Sequence, residues 1–485
     1  MTSSNRSQNS HTFWYILSGL ALVAVFTIII ILNNQHGHSN VGVTSNSVVT
    51  DNGDLKVNWS RYPSYDIELS DTLTITQSGT YHLTGSLANQ NVIINVPNGK
   101  IRLILDNVTI KNSSGPAIAC LNADDLVIEL TGYNILEDGK TYAGTYDEDV
   151  NGVIYSKADL TFDGTGTLVL TANYQDGIVG KDDLKFNSGT YLITTADDGI
   201  RGKDSVYIVN GHFTISAKSD GIKSTNETTT GKGFVLIEQG TINISAGDDG
   251  IHAINNLIIE DGTVTISKSY EGLEAKSITI NGGNISVTAN DDGINAGGGS
   301  SNTTTASTAN RNPGAMDSDA SCILAINGGN VYVNAAGDGI DSNGYVYFNG
   351  GTVVVDGPTN NGNGALDAGI SITQNGGTVI AVGASGMAGP LGSTSSIYNA
   401  SIYLTANQPA GTTITIKDED DNIIIEHTSA KAFNHLATGT IQFQLGETYT
   451  IYLDDTEYES FTISAITTTV GGSAIQNSRP NGIRP

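Results

Sequence analysis

The chain contains few cysteines, prolines and basic residues, and these shortages disfavour particular folds and functions. Its 485 residues include 2 Cys, 9 Pro and 22 Lys plus Arg, against 49 Asp plus Glu. Cys120 and Cys322 are far apart in the sequence, which predicts buried free thiols rather than a disulfide framework. The formal net charge of −27 disfavours nucleic acid as a partner, because phosphate binding depends on Lys and Arg. Helix-forming signals are also weak in the repeated part of the chain, which disfavours leucine-rich and α-helical repeats.

One long apolar segment is present, near the N-terminus. Residues 13–32 are uncharged and mostly apolar, which is long enough for a helix that crosses a bilayer. Arg6 precedes this segment and the next basic residue is Lys56, so residues 1–12 are predicted to be cytoplasmic and the rest exported. We predict a single-pass signal anchor in the cell membrane, followed by a linker over residues 33–55. A cleaved signal peptide is the alternative.

A short motif recurs through the middle of the chain, which is rich in Gly and in strand-forming residues. The tetrad Asp-Asp-Gly-Ile occupies residues 197–200, 248–251 and 291–294, and Asp-Gly-Ile occupies 176–178, 220–222 and 338–340. The steps from Asp176 to Asp198 and from Asp198 to Asp220 are each 22 residues. A period in the low twenties without helices predicts stacked coils of short strands. We therefore predict an all-β fold with a parallel β-helix over residues 56–399, in which the residue after each Gly points inward.

The pattern changes near residue 400. Strand-like segments over residues 400–469 lack the Asp-Gly-Ile period and are separated by hairpin turns, which predicts a small antiparallel β unit that covers the last coil. Residues 136–152 and 300–320 interrupt the repeat and predict loops. Residues 470–485 predict a disordered tail.

The acidic residues of the motif carry the predicted chemistry. Residues one coil apart are expected to lie about 4.8 Å apart, and two carboxylates at that spacing repel by roughly 3–4 kcal/mol at an effective dielectric near 20. Calcium suits such a column because it accepts roughly six to eight oxygen ligands in irregular geometry. We predict calcium as the cofactor, held by Asp176, Asp197, Asp198, Asp220, Asp248, Asp249, Asp291 and Asp292. The alternative is that each Asp-Gly pair is only a turn, although a turn needs a single Asp.

Basic residues follow the acids at two fixed offsets. Three residues after the acid lie Arg201, Lys223 and His252, and five residues after it lie Lys181, Lys203 and Lys276. These cations predict either ion pairs with the acids or contacts with carboxylates of a ligand. The predicted ligand-binding residues are Lys181, Arg201, Lys203, Lys223, Lys276 and Tyr174, the last as a surface on which a sugar ring stacks.

Several segments between residues 56 and 465 occur in a specific order that carries a family resemblance. They are residues 79–87, 92–94, 101–108, 164–168, 174–178, 364–367 and 385–388. Their order resembles the exported carbohydrate-binding β-helix family first defined on a clostridial cellulose- and pectin-binding protein. The resemblance implies a right-handed parallel β-helix, bound calcium and affinity for plant-type polysaccharides without demonstrated cleavage. It also implies similarity to family-nine pectate lyases, which use calcium-site aspartates and a lysine base.

Three functions remain open from the sequence. The leading hypothesis is a non-catalytic, calcium-containing polysaccharide-binding protein, monomeric and displayed on a bacterial cell surface, with cellulose- or pectin-like ligands. The second is a calcium-dependent polyuronide lyase, in which Lys223 or Lys203 is the base. The third is a surface adhesin that binds a protein.

Overall fold

The computed structural model describes residues 57–142, 149–297 and 318–472. The predicted cytoplasmic segment 1–12, membrane span 13–32 and linker 33–55 lie outside these residues, as does most of the predicted tail. Within the described ranges, no helix is long and apolar enough to cross a membrane. The helix found there is a single 3-10 turn, Trp59–Arg61.

Strands account for nearly all regular structure in the described residues. The strands up to the first doubled aspartate are β1 (Ser64–Leu69), β2 (Leu73–Ile75), β3 (Gly79–Ala88), β4 (Val92–Asn95), β5 (Lys100–Asp106), β6 (Thr109–Asn112), β7 (Ile118–Asn122), β8 (Asp125–Thr131), β9 (Tyr133–Asp138), β10 (Gly152–Ser156), β11 (Asp159–Gly164), β12 (Thr167–Ala172), β13 (Asp176–Gly180), β14 (Asp183–Phe186) and β15 (Thr190–Thr195). The next strands are β16 (Ile200–Gly202), β17 (Ser205–Ile208), β18 (His212–Ser216), β19 (Ile222–Ser224), β20 (Phe234–Ile237), β21 (Thr241–Ser245), β22 (Ile251–Ile259), β23 (Thr263–Lys268), β24 (Leu273–Ile280), β25 (Asn284–Ala289) and β26 (Ile294–Ala296).

The remaining strands follow the interruption at residues 298–317. They are β27 (Ile323–Ile326), β28 (Asn330–Ala335), β29 (Ile340–Ser342), β30 (Tyr345–Phe348), β31 (Thr352–Asp356), β32 (Ser371–Gln374), β33 (Thr378–Gly383), β34 (Asn399–Gln408), β35 (Thr413–Lys417), β36 (Ile423–Thr428), β37 (Phe433–Thr440), β38 (Thr448–Leu453), β39 (Thr456–Thr462) and β40 (Thr467–Gly471). The last strand therefore includes the first two residues of the segment predicted as a tail.

Each coil of the repeat contributes one strand to each of three rows, and every row is parallel. In the first row β13 pairs with β16, and β16 pairs with β19. In the second row β14 pairs with β17, and β17 with β20. In the third row β15 pairs with β18, and β18 with β21. This pairing confirms the predicted all-β architecture of stacked parallel strands; the right hand of the coil stays a prediction.

The residue after each Gly forms a column inside the stack, as predicted. Ile178 lies in register with Ile200, and Ile200 with Ile222. The column continues through Ile251, Leu273, Ile294 and Ile340. All of these side chains are fully buried. Burial of each one stabilises the stack by roughly 1.5–3 kcal/mol, which explains why an apolar branched residue occupies this position in every coil.

The C-terminal strands are divided between two sheets rather than forming one antiparallel unit. β37 pairs antiparallel with β33 and with β34, and β40 pairs parallel with β34, so these strands extend the third row. β35, β36, β38 and β39 form a separate antiparallel sheet in the order β36-β35-β38-β39. The strands could be predicted from the sequence, but their division between two sheets could not. That division depends on which strand edge of the last coil is available for pairing.

A buried carboxylate joins the separate sheet to the coils. Asp356, at the end of β31, is 1% exposed. Its oxygens lie 2.7 Å from Nε2 of His427 and accept hydrogen bonds from the hydroxyls of Ser429 and Tyr332 at 3.1 and 2.8 Å. Burial raises the pKa of Asp356, but the hydrogen bond and charge of His427 outweigh it and hold that pKa below its ordinary value.

Candidate functional site

The aspartate before each Gly lies at the bend that leads into the first row, and these aspartates form a ladder. The N–H of Asp198 donates to Oδ1 of Asp176 at 3.2 Å, and the N–H of Asp220 donates to Oδ1 of Asp198 at 3.1 Å. The N–H of Asp249 continues the ladder by donating to Oδ1 of Asp220 at 2.9 Å. One oxygen of each carboxylate thus receives a backbone hydrogen bond from the next coil. This is a structural reason for Asp at the bend that is independent of any metal.

In three of the four aspartates in the first half of the ladder, the second carboxylate oxygen contacts a cation of the protein. Oδ2 of Asp176 lies 2.6 Å from the guanidinium of Arg201. Oδ2 of Asp220 forms an ion pair with Nζ of Lys223. Oδ2 of Asp249 lies 2.9 Å from Nδ1 of His252. Of the two sequence alternatives for Arg201 and Lys223, the structure therefore shows ion pairs with the acids.

Glu274 completes the first half of the ladder. It follows His252 in the first row, and its Oε2 lies 2.6 Å from His252 Nδ1. Burial lowers the pKa of His252, but its hydrogen bonds to Asp249 and Glu274 outweigh burial and raise that pKa to about 10. His252 is therefore a cation at neutral pH, in the same position as Arg201 and Lys223 in the preceding coils.

The second half of the ladder has the backbone hydrogen bonds but no cation among the residues that the structure describes. The N–H of Asp338 donates to Oδ1 of Asp292 at 2.6 Å, and the N–H of Gly364 donates to Oδ1 of Asp338. Asp341 occupies the first-row position that Arg201, Lys223 and His252 occupy in earlier coils. Among the described residues, no Lys, Arg or His forms an ion pair with Asp291, Asp292, Asp338, Asp341 or Asp367.

Burial raises the pKa of four carboxylates in this half, and repulsion from neighbouring carboxylates adds to the effect in Asp292, Asp338 and Asp341. Burial, followed by the charges of Asp338 and Asp367, raises the pKa of Asp341 to about 7. Burial also raises the pKa of Asp292 to about 6 and that of Asp338 to about 6. Burial raises the pKa of Asp367. We call these four residues and Asp291 the open acidic cluster.

The doubled aspartates bring further oxygens together in the first half. Carboxylate oxygens of Asp176, Asp197 and Asp198 lie within 4.8 Å of one another, and so do those of Asp220, Asp248 and Asp249. Burial raises the pKa of Asp197 and of Asp248, and the neighbouring aspartate adds to the effect in each. Six of the eight predicted metal ligands therefore lie in two converging groups, each of which also contacts a cation of the protein. Asp291 and Asp292 belong to no such group among the described residues.

The other predicted ligand-binding residues are not all brought together. Lys181 and Lys203 occupy equivalent positions in neighbouring coils, and Nζ of Lys181 lies 5.7 Å from the ring centre of Tyr155. Burial and the charge of Arg201 lower the pKa of Lys181. Tyr174 stacks on Tyr142, with ring centres 4.5 Å apart.

Lys276 lies apart from this group. It is on β24, and its charge acts on Asp319, whose pKa is lowered first by hydrogen bonds from Ser321 and also by Lys276.

Sequence reasoning missed three residues of the open acidic cluster. Asp338 was recognised as a copy of the motif but not as a ligand, and Asp341 and Asp367 were not singled out for chemistry. A signal for Asp341 was available, because it lies three residues after the motif acid, where earlier coils have Arg201, Lys223 or His252. Along the first row this position changes from His252 to Glu274, then to Asn295 and Asp341, so these later coils have no cation there.

Part of the chain is similar to a carbohydrate-binding family. Residues 70–311 match the family described as "Carbohydrate-binding domain-containing protein". A curated protein of that description from Acetivibrio thermocellus is 32% identical over 126 residues, which cover 24% of this chain and 43% of the relative. The aligned part thus spans less than half the length of that relative. A solved structure described as the polysaccharide lyase-like protein from C. thermocellum, a gadolinium derivative, is 28% identical, with a TM-score of 0.41; the match covers 46% of this chain and 93% of that chain.

Proposed function

We propose that this chain is a non-catalytic polysaccharide-binding protein that carries calcium and is displayed on a bacterial cell surface. The family match over residues 70–311 supports the polysaccharide as the partner. The metal is supported by the division of the ladder into a half that pairs with cations of the protein and a half that has none among the described residues. Surface display rests on the predicted anchor at residues 13–32, which lies outside the described residues.

Calcium fits the open acidic cluster by the chemistry of its donors. Oδ1 of Asp292 and of Asp338 accepts a backbone N–H, while Oδ2 of each has no partner among the described residues. In the first half, the equivalent Oδ2 atoms bind Arg201, Lys223 and His252. A hard divalent cation with several oxygen ligands supplies the missing positive charge. Asp291, Asp292, Asp338, Asp341 and Asp367 are the residues that would hold it. Binding would have to draw their oxygens together, because the carboxylate groups that already converge within 4.8 Å in the described residues lie in earlier coils.

The two groups of the first half remain proposed as weaker sites. Asp176, Asp197 and Asp198 offer converging oxygens, but a metal there must compete with the guanidinium of Arg201. Asp220, Asp248 and Asp249 face the same competition from Lys223. Calcium is therefore expected to bind the open acidic cluster first.

We propose that the protein does not cleave its ligand, because Lys223, a predicted base, forms an ion pair with Asp220. Burial lowers the pKa of Lys223, but the charges of Asp220 and Asp198 outweigh burial and hold that pKa above its ordinary value. A protonated lysine cannot remove the proton next to a uronate carboxylate. One observation favours the lyase alternative: the lowered pKa of Lys181 makes it a better base than Lys223.

A combined binding and cleavage assay separates these functions. We expect the protein to bind immobilised polysaccharides and to release no product that absorbs as an unsaturated uronate, with or without calcium. Product formation abolished by Lys181→Met would establish the lyase instead. Binding of proteins but of no glycan would support the adhesin.

A further inference from the structure

We infer that an extended, neutral polysaccharide lies along a glycine-floored groove beside the third row, away from the acidic ladder. The inference rests on the proposed function and adds the binding surface and the class of glycan. The groove has a volume of about 320 Å³ and lies where the second row bends into the third. The glycines before two third-row strands, Gly240 and Gly262, line its floor, and Gly211 holds the equivalent position in the preceding coil.

The glycine floor is fixed by backbone packing. Gly211, Gly240 and Gly262 have φ values of +138°, +118° and +105°, which disfavour any residue with a side chain. A Cβ on Gly240 would lie 2.9 Å from the carbonyl oxygen of Gly211, and one on Gly262 would lie 2.8 Å from that of Gly240. The floor therefore stays open along the stack.

Polar side chains form both walls of the groove. One wall is His212, Thr241, Thr263 and Asn284, which lie in register on successive coils. The other wall is Asn210, Gln239 and Asp261, each one residue before a floor glycine. Because equivalent residues of neighbouring coils line each wall, the groove runs along the axis of the stack. Four coils give it a length of about 14 Å at the usual strand spacing, which suits an extended chain rather than a compact ligand.

The charge of this face selects a neutral glycan. The third-row strands β12, β15, β18, β21, β23 and β25 contain no Asp or Glu, although the chain has 49 acids. The groove itself carries one carboxylate, Asp261. No Lys or Arg lines the groove, so a polyuronide would gain no ion pair with either residue type there, and it would be repelled by the net charge of −27.

The walls also offer unused hydrogen-bonding groups. In the described part of the chain, the side chains of Gln239, Thr241 and Thr263 have no hydrogen-bond partner. Gln239 is exposed, and the two threonines are half-buried. Hydroxyl and amide groups both donate and accept, which matches the hydroxyls of a sugar chain without desolvating a charge.

A substitution in the wall tests the inference with a matched control. Thr263→Arg places a long side chain over the floor, and Thr279→Arg makes the same change on β24, in the second row. Depletion isotherms on insoluble cellulose should show at least about tenfold weaker binding for Thr263→Arg and unchanged binding for Thr279→Arg. Gln239→Ala, on an exposed side chain, should weaken binding by about threefold through one lost hydrogen bond. The melting temperature of each variant establishes that it is folded.

The outcomes distinguish this inference from the proposed function. Wild-type protein that binds polygalacturonate but not cellulose would overturn the neutral groove and leave polysaccharide binding intact. Cellulose binding that is the same in wild type, Thr263→Arg and Gln239→Ala would also overturn it. Wild-type protein that binds neither polymer would overturn the proposed function, and the groove with it.

Discussion

Removal of calcium should loosen the second half of the stack and leave the first half in place. No described Lys, Arg or His pairs with the five carboxylates of the open acidic cluster, whereas Arg201, Lys223 and His252 pair with acids of the earlier coils. Chelation should therefore lower the melting temperature, and calcium should restore it better than magnesium, which requires stricter octahedral geometry.

The expected change in melting temperature follows from the free energy of calcium binding and from the unfolding entropy of the described residues. Calcium at a hundred times its Kd stabilises the folded form by about 2.7 kcal/mol. An unfolding entropy of about 2.1 cal/mol/K per residue over roughly 400 residues gives ~0.8 kcal/mol/K, so the expected shift is about 3 °C. A variant whose Kd rises to the calcium concentration keeps only about 0.4 kcal/mol, a shift below about 1 °C.

Asp341→Asn should shift the melting temperature in opposite directions with and without calcium. With calcium, the variant should melt below wild type because it lacks one ligand. Without calcium, it should melt above wild type, because one charge is removed from a cluster in which neighbouring carboxylates repel. Asp420→Asn, in an exposed turn of the separate antiparallel sheet, should change neither melting temperature.

Differential scanning calorimetry, elemental analysis and hydrogen exchange test this prediction together. Exchange after chelation should rise in β26, β29 and β32 and stay unchanged in β13, β16 and β19. A melting temperature that is indifferent to chelator, together with no metal by elemental analysis, would refute the reasoning and leave the aspartates as a hydrogen-bonded ladder. An equal response of Asp420→Asn would refute it as well.

Three further predictions concern the buried charges. Lys223→Met should lower the free energy of unfolding by about 3–5 kcal/mol, because it leaves Asp220 buried without its partner. In denaturant titrations, the double variant with Asp220→Asn should recover part of this loss. Full stability of the single variant would contradict a stabilising role for the ion pair. Burial lowers the pKa of His435 to about 4, below its unfolded value of about 6.5, so stability present above pH 6.5 should fall by up to about 3 kcal/mol as the pH drops to 4. His435→Gln should flatten that profile in urea titrations at pH 7 and pH 4, and an unchanged profile would assign the effect elsewhere. Asp356→Asn should lower the free energy of unfolding by about 1.5–3 kcal/mol, because it weakens the hydrogen bond to His427. Limited proteolysis of this variant should cut residues 413–462, in the separate antiparallel sheet, before the rest of the chain. Simultaneous cleavage throughout the chain would argue against a separate response of that sheet.

The sequence was sufficient for the coil and its interior because both depend on local periodicity. Gly after Asp fixes the bend, and the alternation of apolar residues fixes which side faces inward, so the column from Ile178 to Ile294 could be assigned without coordinates. The same logic identified the bend at which the aspartates stack.

Ion pairing was less predictable because it depends on register between coils. Arg201 contacts Asp176 of the preceding coil, whereas Lys223 contacts Asp220 of its own coil, although both lie three residues after a motif acid. His252 lies between Asp249 and Glu274 of the next coil. The 29-residue step from Asp220 to Asp249 keeps the strands in register by extruding a loop, which spacing alone does not reveal.

The positions of the metal ligands and the candidate bases argue for binding over lyase chemistry. A lyase of the proposed type needs calcium on the uronate carboxylate and a neutral base at the adjacent carbon of the same sugar. Lys181 follows the Ile178 coil, and the open acidic cluster begins at the Ile294 coil, five steps along the first row through Ile200, Ile222, Ile251 and Leu273. Five steps at the usual strand spacing are about 24 Å, which is too far for both groups to act on one sugar. A metal bound in the open acidic cluster therefore cannot act on the same sugar as Lys181. A lyase that uses Lys181 would need a metal at the group of Asp176, Asp197 and Asp198, where Arg201 already contacts Asp176.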